Sequence, residues 1–420
     1  MTSDLLRQVR LLDPVSNADR IADVLISDGQ IQAVEDSITD VPADAQVQDG
    51  AGLVLGPGLV DLYSHSGEPG FEDRETLESL LEAAAAGGFT RLTLLPDTRP
   101  AIDGPAGVEW LRSQLQFRAQ NQPQLSCWGA LTIGTKGEQM VEFMELAEAG
   151  VIGFADGKPL ANGVLLRRAL EYGQPLHKPI ALWCCDRELN GNGVVREGID
   201  SVRLGLPGSP EIAETAPLSA LLEYIAYLNT PVHIMRVSTA RGVELIRAAK
   251  AQGLPITAST TWMHLLLNIT AVESYDPSLH LAPPLGTPQD QAALIQGIQD
   301  GVLEAIAVDH TPLTYEEKTV AFAESPAGAI GLELALPLLW QIFVASGSWS
   351  ALDLWRYLST NPARCLNQAP PAIVPGQPAE LVLFAPQQPW QVTPHTLKSR
   401  STNTPWLGHE IDGRVMRIWR

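Results

Sequence analysis

Residues 56–100 of the chain read GPGLVDLYSHSGEPGFEDRETLESLLEAAAAGGFTRLTLLPDTRP. The stretch begins with an apolar run, GPGLVD, and ends with a second one, TRLTLLP, and each run is typical of a buried strand. Between them, ETLESLLEAAAAGG has apolar residues at helical spacing. A strand, a helix and a strand in this order predict a βαβ unit and a parallel sheet.

The same alternation continues to about residue 364. Further strand-like runs are LSCWGALTIG, GVIGFAD, PIALWCC, PVHIMRVS, PITASTT and EAIAVDH. Further helical stretches are GVEWLRSQLQFRAQ, GVLLRRALEYG, APLSALLEYIAYL and ARGVELIRAAKAQG. About seven or eight such units in roughly 310 residues predict a closed TIM-type (β/α)8 barrel over 56–364. An open doubly wound sheet is the alternative, but no Gly-rich phosphate loop follows the first strand.

Both chain ends have a different pattern. Residues 1–55 contain short apolar runs with an Asp-Gly hairpin signal between two of them, and AELVLFAP and DGRVMRIW near the C-terminus are similar. Each end is too small for a core of its own, so we expect residues 1–55 and 365–420 to form one β-sandwich domain together. The Pro-rich segment QAPPAIVPGQP, at 368–378, marks a boundary between the domains.

Composition excludes some classes of partner. The chain has 28 Lys and Arg against 48 Asp and Glu, a net charge of −20, which disfavours nucleic acid and anionic membranes. There is no apolar run long enough to cross a membrane, and the N-terminus lacks the pattern of a secretory signal. We therefore expect a cytoplasmic protein.

The segment 56–100 resembles the dihydroorotase family of the amidohydrolase superfamily. The family pattern is Pro-Gly-Leu-Val-Asp, then His-x-His-x-Arg-Glu-Pro-Gly, a helix, Gly-Gly-Phe-Thr and Pro-Asn-Thr. The resemblance continues through GFADGKPLANGVLLRRALEYG, SVRLGLPGSPEIAE, HIMRVSTARGVELIRAAKAQG, LAPPLGTPQDQAALIQGIQDG, AIAVDHTPLTYEEK and STNTPWLGHEIDGRV. It implies hydrolysis of dihydroorotate to carbamoyl aspartate, and the reverse, for pyrimidine biosynthesis. It also implies zinc at the C-terminal mouth of the barrel, where the ion activates water and polarises a carbonyl.

The family's metal-binding positions match this chain incompletely. The His-x-His pair corresponds to Tyr63 and His65, and the later His positions correspond to Trp183 and Arg236. The bridging Asp corresponds to Asp156, in a stretch one residue shorter than the family's. Asp309 matches the family's catalytic base and metal ligand.

The substrate-binding positions also differ. The family Arg and Asn that grip the substrate carboxylate correspond to Gly67 and Asp97, and an Asp there would repel an anion. A second Asn corresponds to Ala282, and the substrate-facing His corresponds to Leu313. The positions that do match are mostly glycines and prolines, which serve the backbone and the packing.

Three functions are consistent with this pattern. The first is a non-catalytic chain that acts as a structural or regulatory subunit, for which we expect no cofactor. Inactive chains that resemble this family imply aspartate carbamoyltransferase as the partner, and a homo-oligomer is a further option. The second is an active metal-dependent dihydroorotase with zinc on His65, Asp156 and Asp309, the minimum of three ligands. The third is a metal-independent hydrolase or small-molecule binder that uses Asp309 and His310.

One contact can be predicted in advance. Asp309 faces a divalent cation in the family, and a buried carboxylate without a counter-charge is costly. Arg236 stands at a family ligand position and carries a permanent charge. We therefore expect its guanidinium to pair with Asp309 at the mouth of the barrel.

Overall fold

The computed structural model describes residues 3–115 and 122–420. Its strands are β1 (Ser3–Asp13), β2 (Ala18–Ser27), β3 (Gln30–Glu35), β4 (Gln46–Asp49), β5 (Val54–Pro57), β6 (Leu59–Ser64), β7 (Phe89–Leu94), β8 (Gln124–Cys127), β9 (Ala181–Trp183), β10 (Val195–Arg196), β11 (Gly208–Ser209), β12 (Val232–Met235), β13 (Ile256–Thr261), β14 (Ala305–Ala307), β15 (Leu381–Gln391) and β16 (Glu410–Trp419).

Helices alternate with the central strands. They are α1 (Leu77–Ala86), α2 (Pro105–Leu115), α3 (Phe143–Ala149), α4 (Gly163–Gly173), α5 (Arg187–Asn190), α6 (Ile199–Leu204), α7 (Ile212–Leu228), α8 (Ala240–Ala251), α9 (Trp262–Leu266), α10 (Pro288–Gln299), α11 (Tyr315–Lys318), α12 (Ala335–Leu339), α13 (Ala351–Trp355) and α14 (Asn361–Cys365). Residues 116–120 of the predicted helix GVEWLRSQLQFRAQ lie outside the described residues. No described helix is both long and apolar enough to cross a membrane.

The central strands form two parallel sheets. One contains β6, β7 and β8, and the other has the order β14, β13, β12, β9. Phe154 joins them, because it forms parallel bridges with Gly129 beyond β8 and with Ile180 just before β9.

The opposite gap closes between β14 and β6. The backbone N–H of His65 donates to the carbonyl of His310 at 2.8 Å, and that of Asp309 donates to the carbonyl of Tyr63 at 3.2 Å. Seven strands and the Phe154 bridge therefore surround one axis, which confirms the predicted barrel.

Two predicted strands are shorter in the structure. LSCWGALTIG forms a regular strand only as far as Cys127. GVIGFAD forms no named strand, although the N–H groups of Ile152 and Ala155 donate to the carbonyls of Cys127 and Gly129, and that of Phe154 donates to the carbonyl of Pro179. Gly153 lies within this paired segment and packs closely against its neighbour, since a Cβ there would lie 2.3 Å from the carbonyl oxygen of Pro179.

Both chain ends contribute to one sheet beside the barrel. Its order is β16, β15, β5, β1, β2, β3, and β4 pairs with β1. The predicted Asp-Gly turn connects β2 to β3 with φ values of 53° at Asp28 and 71° at Gly29, as a tight hairpin requires. The apolar face is shared by Leu6, Val24 and Ile31 from one end and Leu381 and Trp419 from the other.

The flanking β-domain of the predicted fold class is thus present. The sheet includes β5, which extends to Pro57. The division of the chain into 1–55 plus 365–420 and 56–364 stays a prediction.

Candidate functional site

Arg236 and Asp309 form an ion pair at the carboxyl ends of β12 and β14. The guanidinium is bidentate: Nε donates to Oδ2 at 2.7 Å and Nη2 donates to Oδ1 at 2.5 Å. Its third nitrogen, Nη1, donates to the carbonyl of Gly157 at 2.8 Å. Two parallel N–H···O bonds are the strongest geometry available to this pair. The contact predicted from the sequence is confirmed.

The backbone at both residues helps to aim the side chains. Arg236 and Asp309 each have a φ of 55°, a left-handed conformation that residues with a Cβ seldom adopt. Tyr63 supports both turns, because its hydroxyl accepts from the N–H of Arg236 at 3.2 Å and its carbonyl accepts from that of Asp309. The strand ends therefore turn inward around a buried tyrosine.

Aromatic rings enclose the guanidinium. Its central carbon lies 4.8 Å from the ring centroid of Trp183 and 5.6 Å from that of Tyr63. Such contacts favour a cation, and the effect grows when water is excluded. Burial works to lower the pKa of Arg236, but the facing Asp309 carboxylate raises it above its ordinary value. The cation is therefore stable where it lies.

His65 connects this pair to a second carboxylate. Its Nε2 lies 3.0 Å from Nη2 of Arg236, and its Nδ1 lies 2.9 Å from Oδ2 of Asp97. Because arginine can only donate, Nε2 must accept, which leaves the proton on Nδ1 to donate to Asp97. Burial raises the pKa of Asp97, but His65, Lys158 and Arg236 outweigh it and bring that pKa down to about 2. Asp97 is therefore ionised at neutral pH.

Asp156 lies outside this cluster. Its Oδ1 accepts from the N–H groups of Leu131, at 2.7 Å, and Thr132, at 3.0 Å, while its Oδ2 accepts from the Thr132 hydroxyl at 2.6 Å. Both oxygens are therefore used to hold the loop after β8. The structure does not bring Asp156 together with His65 and Asp309.

His310 also points away from the cavity at the mouth of the barrel. Its Nδ1 accepts from the backbone N–H of Gly331 at 3.1 Å, and its Nε2 lies 3.4 Å from the Glu75 carboxylate. The side chain is buried and does not line the cavity, which separates it from Asp309.

The cavity above the ion pair has a volume of about 300 Å³. Gly67, Ala282 and Leu313, at positions where the resemblance implies substrate contacts, all line it. Gly67 is tightly enclosed, since a Cβ there would lie 2.3 Å from the carbonyl oxygen of Glu75. Lys158, which the sequence analysis missed, also lines the cavity and follows Asp156 by only two residues. The described residues contain no group of three His, Cys, Asp or Glu side chains arranged to hold a metal ion.

Comparisons with known proteins agree on one family. A dihydro-orotase-like family model matches residues 52–226. A probable dihydroorotase-like protein of Synechocystis sp. is 46% identical over 97% of this chain and 98% of its own length. The dihydroorotase of Syntrophus aciditrophicus is 37% identical, over 98% of this chain and 96% of its own.

Two solved structures share the fold. The L-hydantoinase (dihydropyrimidinase) from Arthrobacter aurescens superposes with a TM-score of 0.86 at 20% identity, covering 99% of this chain and 95% of that one. The dihydropyrimidinase from Brevibacillus agri has a TM-score of 0.82 at 20% identity, with coverage of 99% and 93%. At this identity the likeness concerns the fold alone.

Proposed function

The chain belongs to the dihydroorotase-like family, and from this premise we propose that it is a non-catalytic member that acts as a structural or regulatory subunit. The observation that carries the proposal is the position of the Arg236 guanidinium. It lies at the strand end where the resemblance implies a metal ligand, and it occupies both oxygens of Asp309. A fixed cation at this point repels a divalent metal ion.

The surrounding donor atoms do not fit a zinc ion. His65 offers Nε2, but this atom already accepts from Arg236. The carboxylate of Asp156 is hydrogen-bonded to the loop after β8. The hydroxyl of Tyr63 is hydrogen-bonded to Ser259 within the barrel, so it is not placed to coordinate a metal ion. A catalytic zinc needs three protein ligands and an open position for water. The residues present therefore do not support a reaction at a bound zinc ion.

The substrate side supports the same conclusion. Dihydroorotate and carbamoyl aspartate are both anions, and Gly67 and Asp97 stand at the positions where the resemblance implies an Arg and an Asn that bind the substrate carboxylate. The tight backbone contacts at Gly67 also oppose a long side chain there. On this proposal the scaffold and its surface carry the function, and aspartate carbamoyltransferase is the partner to test.

Activity is the first test. Purified chain with added zinc should convert neither dihydroorotate nor carbamoyl aspartate faster than buffer does. Turnover that disappears in Asp309→Ala, but persists in the control Asp300→Ala at the end of α10, would overturn the non-catalytic proposal. Asp300 is a suitable control because its carboxylate pairs with Arg247 on the surface.

Assembly is the second test. Size-exclusion chromatography with light scattering should show a complex when the chain is mixed with aspartate carbamoyltransferase from the same cell. A mixture that elutes as two separate species would remove this partner and leave the non-catalytic assignment standing, so the two parts of the proposal fail separately.

A further inference from the structure

A second cavity lies at the other end of the barrel, where β9, β12 and β13 begin. Its volume is about 600 Å³. Pro179, Pro231 and Pro255 line it, and each stands one or two residues ahead of one of these strands. Because proline fixes φ, three prolines make the rim rigid before any ligand arrives.

The charge of this cavity is opposite to that of the chain. His177, Lys178 and Arg364 line it, and among the described residues no Asp or Glu does. The chain as a whole carries a net charge of −20. A cavity lined by basic side chains has a positive local potential, which attracts a small anion even though the protein as a whole is acidic.

Lys178 and Arg364 remain available to bind a ligand. Lys178 is fixed at the rim by a 2.7 Å bond from Nζ to the carbonyl of Val151, and this bond uses one of its three N–H groups. Glu304, which immediately precedes β14, pairs with Lys250 and not with a cation of this cavity. Arg364 is exposed at the C-terminal end of α14.

The floor of the cavity is polar. The buried side chain of His233 lies there beside Thr257, with Nδ1 and Oγ1 2.8 Å apart. Both ring nitrogens of His233 are bonded, to Thr257 and to Ser259, so the cations of the rim are the main groups that can bind a ligand.

We infer that this cavity is a binding site for a small oxyanion, a carboxylate or a phosphate, held mainly by Arg364 and Lys178. The guanidinium fork matches the paired oxygens of either group, and the ammonium adds a point charge. Nucleic acid does not suit the site, because the net charge of −20 on the chain repels an extended polyanion. The inference is independent of whether the opposite mouth is catalytic.

Isothermal titration of the full chain tests the site. Inorganic phosphate and succinate are titrated separately at constant ionic strength, with chloride as the balancing anion. At least one should saturate at one site per chain, with a Kd at or below about 1 mM. The probe that binds distinguishes a phosphate from a carboxylate ligand.

Variants show where the anion binds. Arg364→Gln and Lys178→Met should each weaken binding at least about tenfold, which corresponds to the loss of one charge-assisted contact. Arg168→Gln removes the same charge from the exposed face of α4 and should leave the Kd unchanged. Absence of saturation with both anions overturns the inference, and so does equal binding by all variants or equal weakening in the Arg168→Gln control.

Discussion

The substitution Arg236→Met tests the central ion pair. Methionine keeps the apolar stem but removes the bonds to Asp309, Gly157 and His65. It leaves the Asp309 side chain, 13% exposed, without its counter-charge. Breaking a buried pair from one side costs about 3–5 kcal/mol. Because Asp309 has some access to water, we expect a loss of about 3 kcal/mol in the free energy of unfolding.

The double variant Arg236→Met with Asp309→Asn should lose less than the single one. The amide carries no charge, so the remaining cost is that of lost hydrogen bonds, about 1–2 kcal/mol. The two substitutions should therefore be coupled by at least about 1 kcal/mol.

Urea-induced unfolding at neutral pH, followed by circular dichroism and tryptophan fluorescence, measures these losses. The matched control is Arg241→Met, because Arg241 pairs with Glu244 on the surface, with exposures of 56% and 65%. Its loss should stay below about 1 kcal/mol. The reasoning is refuted if the losses at Arg236 and Asp309 simply add, or if Arg236→Met costs no more than the control.

Three further outcomes are expected. Tyr63→Phe removes the hydroxyl that contacts Arg236 and Ser259, so the free energy of unfolding by urea should fall by about 1–3 kcal/mol; an unchanged value would contradict this role. Burial raises the pKa of Asp61 to about 7, so the folded chain keeps a proton that the unfolded chain loses above about pH 4. Stability should therefore fall as pH rises from about 4 to about 7, and melting curves of Asp61→Asn should show a weaker fall, whereas an identical pH profile would exclude this explanation. Elemental analysis should find less than about 0.2 zinc per chain after ordinary purification, and stoichiometric zinc that is lost in His65→Ala would contradict the proposed function.

The sequence predicted those parts of the site that depend on strand ends. Carboxyl ends of parallel strands meet at one mouth of a barrel, so residues that follow β12 and β14 had to be neighbours. Charge then decided the pairing of Arg236 with Asp309. The Asp28-Gly29 hairpin was predictable for a similar reason, because few residues tolerate the φ values of that turn.

Other contacts depend on information that the sequence does not carry locally. Asp97 was interpreted only as a repulsive group, yet it accepts a hydrogen bond from His65, which stands on a different strand. Asp156 was a candidate ligand, but its Oδ1 accepts from two backbone N–H groups after β8 and its Oδ2 accepts from the Thr132 hydroxyl.

The polar interior explains how the barrel tolerates these groups. Tyr63 accepts from the N–H of Arg236, so its own proton is free to donate to Ser259, 3.0 Å away. Ser259 in turn lies 2.9 Å from Nε2 of His233, and burial lowers the pKa of that histidine to about 3, so the ring is neutral.

A neutral ring accepts at one nitrogen and donates at the other. If Ser259 donates to Nε2 of His233, Nδ1 carries the proton and donates to Thr257, 2.8 Å away. Each buried donor then has an acceptor, and the chain of bonds runs in one direction from Arg236 down to the floor of the lower cavity. A network satisfied at every member stabilises a buried polar core, whereas a gap in it exposes the full desolvation cost of the unpaired group. Tyr63 therefore does more than replace a metal ligand. As the second member of this hydrogen-bond network, it links the ion pair at the mouth to the polar interior of the barrel.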